Sequence, residues 1–247
     1  MKEDYMSLYE DKALKELVKW KREMQAEPGS TNKFAKNIED KMNSFIPEKV
    51  QSLISKAVEN MIKVVIDGYK YSSSVKPTYN MNLQKREELV VEKMKVHRNI
   101  ASASGAGTGA SGLLIGMADF PILLTIKMKF LFDTAGIYGF DAKSYKERLY
   151  ILYVFQIAFS SQKRRNEVYK IISNWEEYCK SLPEDKDSFD WRTFQQEYRD
   201  YIDIAKTLQL VPGLGAVVGA YANYRLMEKL CSTAMNAYRL RVFKIEQ

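Results

Sequence analysis

Along most of the chain apolar residues return every third or fourth position, and no segment alternates apolar with polar residues long enough to suggest a sheet. Leu14, Leu17 and Val18 give a modest stripe to a first helix expected from Tyr5 to Ala26, which Glu27-Pro28-Gly29-Ser30 ends. A second stretch leads from Asn32 to Pro47, a residue suited to the first turn of a new helix. From there Val50, Ile54, Ala57, Met61, Val65 and Tyr69 mark an amphipathic helix ending near Gly68 to Tyr71. A loop at 72–77 precedes another helix, with Leu83, Leu89, Val90, Met94 and Val96 on one face and charge on the other.

Beyond Arg98 the polar face disappears. From residue 99 to 126 Asp119 is the only charged side chain, and from 207 to 224 there is none. Both stretches are rich in glycine: Gly105, Gly107, Gly109, Gly112 and Gly116 in the first, Pro212, Gly213, Gly215 and Gly219 in the second. The four-residue steps 105 to 109 and 112 to 116 put glycines on one helix face, where another backbone can approach closely. Each glycine weakens a helix by roughly 1 kcal/mol relative to alanine, so such runs call for close packing or membrane contact in compensation.

Between the two stretches, Asp119-Phe120-Pro121 reads as the start of a central helix running to Tyr138. Asp119 is the expected N-cap and Pro121 fits the first turn. Ile122, Leu123, Leu124, Ile126, Met128, Phe130, Leu131 and Phe132 make this helix apolar nearly all round, with Gly139 as its C-cap. Asp141 is placed to cap the next helix, whose apolar run is 149–159. One helix through Val168, Ile171, Ile172 and Trp175 is expected to end before Pro183, and another to run from Trp191 to Leu208. The last helix carries a seam of Ala220, Tyr224, Met227, Cys231, Ala234 and Tyr238. The pattern predicts an all-α, compact multi-helix bundle with two glycine-rich apolar segments in its core. Its expected division is an N-terminal helical extension, 1–45, and a larger helical domain, 46–247.

Three motifs in order, Gly105-Ala-Gly-Thr-Gly109, Ala118-Asp-Phe-Pro121 and Ile137-Tyr-Gly-Phe-Asp141, resemble the pattern of the EcsC family. Val211-Pro-Gly-Leu-Gly-Ala-Val-Val-Gly219 with Asn223 is similar to that family's second glycine motif. The resemblance spans roughly residues 55 to 245. The family is named for a protein encoded beside a bacterial ABC transporter, and no established activity comes with it. What the resemblance implies is a bacterial-type cytoplasmic protein associated with the membrane.

Composition narrows the functional classes. Hydrophobic residues are 46% and charged residues 28% of the 247, which suits a folded chain. The mean hydropathy is −0.36, which argues against an integral membrane protein. Asp119 and Pro121 interrupt the first apolar stretch as a bilayer span, and Pro212 and Asn223 interrupt the second. The N-terminus has no apolar core after its first charges, so no secretory signal is expected. Cys179 and Cys231 lie far apart and suit a reducing compartment. The net charge of +7 can favour an anionic membrane surface or nucleic acid, although many lysines simply solvate helix faces. No basic run interleaves with aromatics and Lys163-Arg164-Arg165 is the densest cluster, so nucleic acid is not expected as a partner.

Candidate chemistry is thin. Gly107-Thr-Gly-Ala-Ser-Gly112 matches G-x-G-x-x-G in form, but no strand precedes it, and no nucleotide or other cofactor is expected. Asp119, alone among uncharged residues, is the strongest acid for a catalytic role, against its simpler use as a buried cap. His97, the single histidine, is a weak candidate base that capping or packing explains equally well. One histidine and two scattered cysteines suggest no metal site. Asp133 follows Lys129 by four residues, which a surface ion pair explains.

The leading expectation is a non-enzymatic cytoplasmic protein, peripheral to the inner face of the cell membrane, binding lipid or a membrane protein complex through its glycine-rich segments. A reading of a different class makes it a hydrolase or lipid-handling enzyme using Asp119 in a pocket near those segments. A third makes it a protein-binding scaffold using the C-terminal seam.

Overall fold

The computed structural model describes residues 7–27, 48–67, 81–108, 120–201 and 216–243. The fold is all-α: among the described residues there are nine α-helices and no strand. They are α1 (Leu8–Gln25), α2 (Glu48–Asp67), α3 (Leu83–Thr108), α4 (Phe120–Tyr138), α5 (Tyr145–Phe159), α6 (Gln162–Ser173), α7 (Trp175–Ser181), α8 (Trp191–Tyr201) and α9 (Ala216–Val242).

Local signals explain several boundaries. Helix α1 begins at a capping box: Ser7 Oγ accepts from the Glu10 N–H at 3.2 Å, and the Ser7 N–H donates to Glu10 Oε2 at 2.8 Å. Helix α4 ends in a Schellman turn. The Gly139 N–H donates to the Gly136 carbonyl at 3.0 Å, the Phe140 N–H to the Ala135 carbonyl at 2.9 Å, and Gly139 has φ 91°. Asp141 does not cap α5 as the sequence suggested. Ser144 is the N-cap residue, while Asp141 Oδ1 accepts from the Lys143 N–H and closes the preceding turn. The single helix expected up to Pro183 is two, because Asn174 leaves helical geometry at φ −111° and ψ 38°.

Helices α4 and α5 are the centre. From Phe130 to Tyr138 and from Glu147 to Phe159 every side chain is buried. The most extensive helix contact runs along α3 and α9, which lie antiparallel, since Glu87 meets Arg239 while Arg98 meets Tyr224 and Glu228. Helix α4 is also antiparallel to α3, with Tyr138 beside Glu87 and Asp133 beside His97. The C-terminal end of α3 and the N-terminal ends of α4 and α9 therefore share one end of the bundle, where the two glycine-rich stretches join them.

Helix α2 buries Ile54, Ala57, Met61 and Val65 as its stripe predicted and packs on α4, α5 and α8. Helix α1 places Ala13, Leu17, Trp20 and Met24 in the same contiguous core as the rest of the chain. On α3 the buried seam is Leu83, Glu87, Val90, Met94, His97 and Ala101, whereas Val96 is 52% exposed.

Candidate functional site

Among the described residues, buried ionisable side chains pair with one another at three places, and Lys127 and Arg148 are buried as well. The first joins four helices. Glu87 of α3, 1% exposed, receives Arg239 Nε and Nη2 of α9 at 2.6 Å each, the Tyr138 hydroxyl of α4 at 2.8 Å and the Tyr9 hydroxyl of α1 at 2.6 Å. Arg239 Nη1 also donates to Glu16 of α1 at 2.8 Å and to Asn236 at 3.2 Å. Burial and the adjacent Glu87 charge hold both phenols above their ordinary range, so they stay neutral donors. Burial alone would lower Arg239; the hydrogen bonds and charge of Glu87 outweigh it and hold the guanidinium up.

The second lies one step along α9. Arg241 Nη1 donates to Glu147 of α5 at 2.7 Å, and the Tyr238 hydroxyl donates to the other oxygen at 2.8 Å. The Arg241 guanidinium lies 3.5 Å over the Phe140 ring and 4.6 Å over Tyr150. Tyr238 stacks on Tyr138 with ring centroids 5.1 Å apart, so the two carboxylate–guanidinium pairs are joined through aromatic faces. Every oxygen of Glu87 and Glu147 is bonded in this arrangement. A carboxylate so committed fixes helices in register and is poorly placed to move a proton.

The third is His97 Nε2, 3.3 Å from Asp133 Oδ2, with the imidazole edge against Phe130. Here the sequence reading of Asp133 is corrected. It is 1% exposed and meets His97, whereas Lys129 lies outside, because the exposed stripe of α4 (Ile122, Thr125, Lys129) closes over after that residue. His97 is mid-helix and 7% exposed, a packed residue and no cap. Lys127 of α4, the helix that carries Asp133, is also buried, and desolvation pushes its ammonium down to about 8.

Other candidates fall out plainly. Cys179 and Cys231 are free thiols, and burial pushes Cys231 up to about 12. Among the described residues no three His, Cys, Asp or Glu side chains are grouped to hold a metal. Asp119, Gly109, Gly112, Gly116, Pro212, Gly213 and Gly215 lie outside the described residues. Gly105 and Gly107 fall in the last turns of α3 and Gly219 in the first turn of α9. A cavity of about 370 Å³ opens between α1 and α3, lined by Tyr9, Glu87, Glu88, Val91, Glu92 and Lys95 on the solvent side of the first clamp. The C-terminal seam faces inward at Met227, Cys231, Ala234 and Tyr238, all at 4% exposure or less, while Tyr224 reaches the surface. The scaffold reading therefore lacks an exposed seam.

In the halves of α3, α4 and α9 that lead to the glycine-rich stretches, Val96, Ile100 and Ile122 are each about half exposed and Tyr224 is 36% exposed. Arg98 sits over the Tyr224 ring at 4.0 Å and lies 3.8 Å from Glu228, whose other oxygen accepts from Arg225 at 3.2 Å.

A model of the EcsC protein family matches residues 11–243. The chain belongs to the EcsC family. It is 41% identical over 231 residues to Protein EcsC of Bacillus subtilis (strain 168), covering 94% of this chain and 95% of that protein. A second relative in that organism, the uncharacterized protein YdbA, is 26% identical over 247 residues, covering 92% and 90%. No solved structure matches the chain. The family match starts well ahead of residue 55, where the motifs become readable, and takes in Glu16 as well as Glu87, Glu147, Arg239 and Arg241.

Proposed function

We propose that this EcsC family member is a non-enzymatic peripheral membrane protein, docking on the anionic inner face of the cell membrane with the end of the bundle that bears its glycine-rich stretches. One observation carries the reading: apolar and cationic exposure coincide at that end. Within 96–108, 120–128 and 216–228, the halves of α3, α4 and α9 nearer that end, Val96, Ile100, Ile122 and Arg225 are exposed, Arg98 is partly so, and Glu228 is the sole acid. Apolar side chains gain by leaving water for the acyl boundary, and each cation near an anionic surface adds about 1 kcal/mol. Among the described residues no helix is long and apolar enough to cross a membrane, so the proposed contact is interfacial. On this reading Gly105, Gly107, Gly109, Gly112, Gly116, Pro212, Gly213, Gly215 and Gly219 belong to the docking end.

The enzymatic alternative is less well supported, because His97 is committed to Asp133 inside the bundle. Co-sedimentation with vesicles of phosphatidylcholine alone and of phosphatidylcholine with phosphatidylglycerol tests the reading. Binding is expected only to the anionic vesicles and should weaken as salt rises. Retention no greater than that of a neutral control protein would overturn it.

A further inference from the structure

We propose that Arg98 and Arg225 form a phosphate-binding pair for an anionic phospholipid headgroup, and that Glu228 fills this pair while the protein is off the membrane. The inference rests on the membrane reading and names the lipid group that the docking end would grip.

The argument begins with how loosely this ion pair is made. In the two interior clamps each guanidinium–carboxylate contact is 2.6 to 2.8 Å and the carboxylate oxygens are fully used. At the glycine-rich end one carboxylate is shared by two guanidiniums. Arg98 Nη1 stands 3.8 Å from Glu228 Oε1, beyond hydrogen-bonding range, and Arg225 Nη1 is 3.2 Å from Oε2. The Arg98 Nε is buried without a hydrogen-bond partner. Two cations against one anion leave a net positive charge, and most of their N–H donors remain unused by that carboxylate.

A phosphate group suits this arrangement better than a carboxylate does. It offers more acceptor oxygens at tetrahedral spacing, and guanidinium forks bind phosphate in bidentate fashion. Arg98 is already oriented for it, because its plane rests on the Tyr224 ring at 4.0 Å and only 17% of its side chain is exposed. Glu228 is 35% and Arg225 62% exposed, and ion pairs this open contribute little, so displacing the carboxylate costs little. On the membrane reading the phosphate presented to this pair belongs to a lipid headgroup, and a freely diffusing anion is the alternative that the inorganic-phosphate arm of the test detects.

The test is a titration of wild-type protein and of Arg98→Gln, Arg98→Lys, Arg225→Gln and Glu228→Gln variants with phosphatidylglycerol-containing vesicles, after thermal melts have confirmed that each is folded. Arg98→Gln and Arg225→Gln are each expected to weaken binding about tenfold, the effect of losing one charge-assisted contact. Arg98→Lys should weaken it too, since the charge remains but the planar fork is gone. Glu228→Gln should tighten binding several-fold, because the resident competitor is neutralised. Inorganic phosphate, added at constant ionic strength, should leave vesicle binding unchanged. If wild-type protein binds the vesicles and all four variants match it, the phosphate pair is refuted while the membrane reading stands. Weaker binding by Glu228→Gln would refute the displacement, and competition by inorganic phosphate would refute the lipid assignment. If wild-type protein does not bind, the membrane reading fails and this inference with it.

Discussion

The clamp at Glu87 makes a quantitative prediction about what holds the bundle together. Arg239→Met keeps most of the side-chain volume of Arg239 but removes both 2.6 Å contacts to Glu87 and the 2.8 Å contact to Glu16. Glu87 is then left 1% exposed with a charge that only the Tyr9 and Tyr138 hydroxyls offset. Stranding one partner of a buried pair typically costs about 3–5 kcal/mol. That is a large part of the roughly 5–15 kcal/mol available to a folded domain. Glu87→Leu should cost a comparable amount for the mirror reason, since Arg239 is then buried against an apolar partner. The double variant Glu87→Leu/Arg239→Met removes both charges at once and should lose much less than the sum, because replacing a whole buried pair by apolar groups is often close to neutral. Urea unfolding of the four proteins in a double-mutant cycle reads the coupling directly. A coupling of about 2 kcal/mol or more is expected, of the size seen for residues in one network. Single-variant losses that add to within about 0.5 kcal/mol would show that the two side chains act independently, and the clamp account would be refuted.

Two further predictions concern the centre of the bundle. Lys127 is pushed down from 10.5 to about 8 by burial, so between those pH values the unfolded chain holds a proton that the folded chain has released. Stability should therefore rise with pH across that window, by about 3 kcal/mol more in the wild type than in Lys127→Met; parallel stability–pH curves for the two proteins would contradict it. Gly139→Ala should destabilise the protein by about 1–2 kcal/mol, because φ 91° places a Cβ against the following carbonyl, and a thermal melt unchanged from wild type would show that the α4 turn relaxes without cost.

Periodicity made much of this fold legible, and the same periodicity, followed through polar residues, would have exposed more. The stripe of α2 and the turn at Gly139 were readable because each rests on local spacing or backbone geometry. The capping box at Ser7 was equally local, and Ser7-x-x-Glu10 is its written sign. The α3 seam was misread at Val96 and Leu89 because attention to apolar residues hides the true spacing. Positions 83, 87, 90, 94, 97 and 101 step by four and three without a break, and two of them are Glu87 and His97. A polar residue on a buried seam must have a partner, and that requirement pointed to the interior. The same holds on α9, where the seam through Met227, Cys231, Ala234 and Tyr238 leads at the next step to Arg241. Asp133 was assigned to the surface because its pairing with Lys129 ignores what covers the last turns of α4. Which carboxylate meets which arginine was not legible, since Glu87 and Arg239 are 152 positions apart and only the tertiary packing unites them.

The helices α3, α4 and α9 run through both ends of the bundle, and their charges are used differently at each. At the end holding Tyr138, Arg239 and Arg241 each carboxylate is fully bonded and the aromatic rings are stacked, which fixes helix register. At the end joined by the glycine-rich stretches the Arg98–Glu228 contact is 3.8 Å and apolar side chains face outward. Glu87 and Arg98 are eleven positions apart on one helix, about 16 Å at 1.5 Å per residue. That exceeds the roughly 7–10 Å within which substitutions normally couple. Stability and membrane docking should therefore separate experimentally. Arg239→Met should lose stability yet bind anionic vesicles like wild type under conditions where it remains folded. Arg98→Gln should melt like wild type and bind poorly. An Arg239→Met protein that is folded but no longer binds would mean that the clamp shapes the docking end, and the two ends would then have to be treated as one coupled unit.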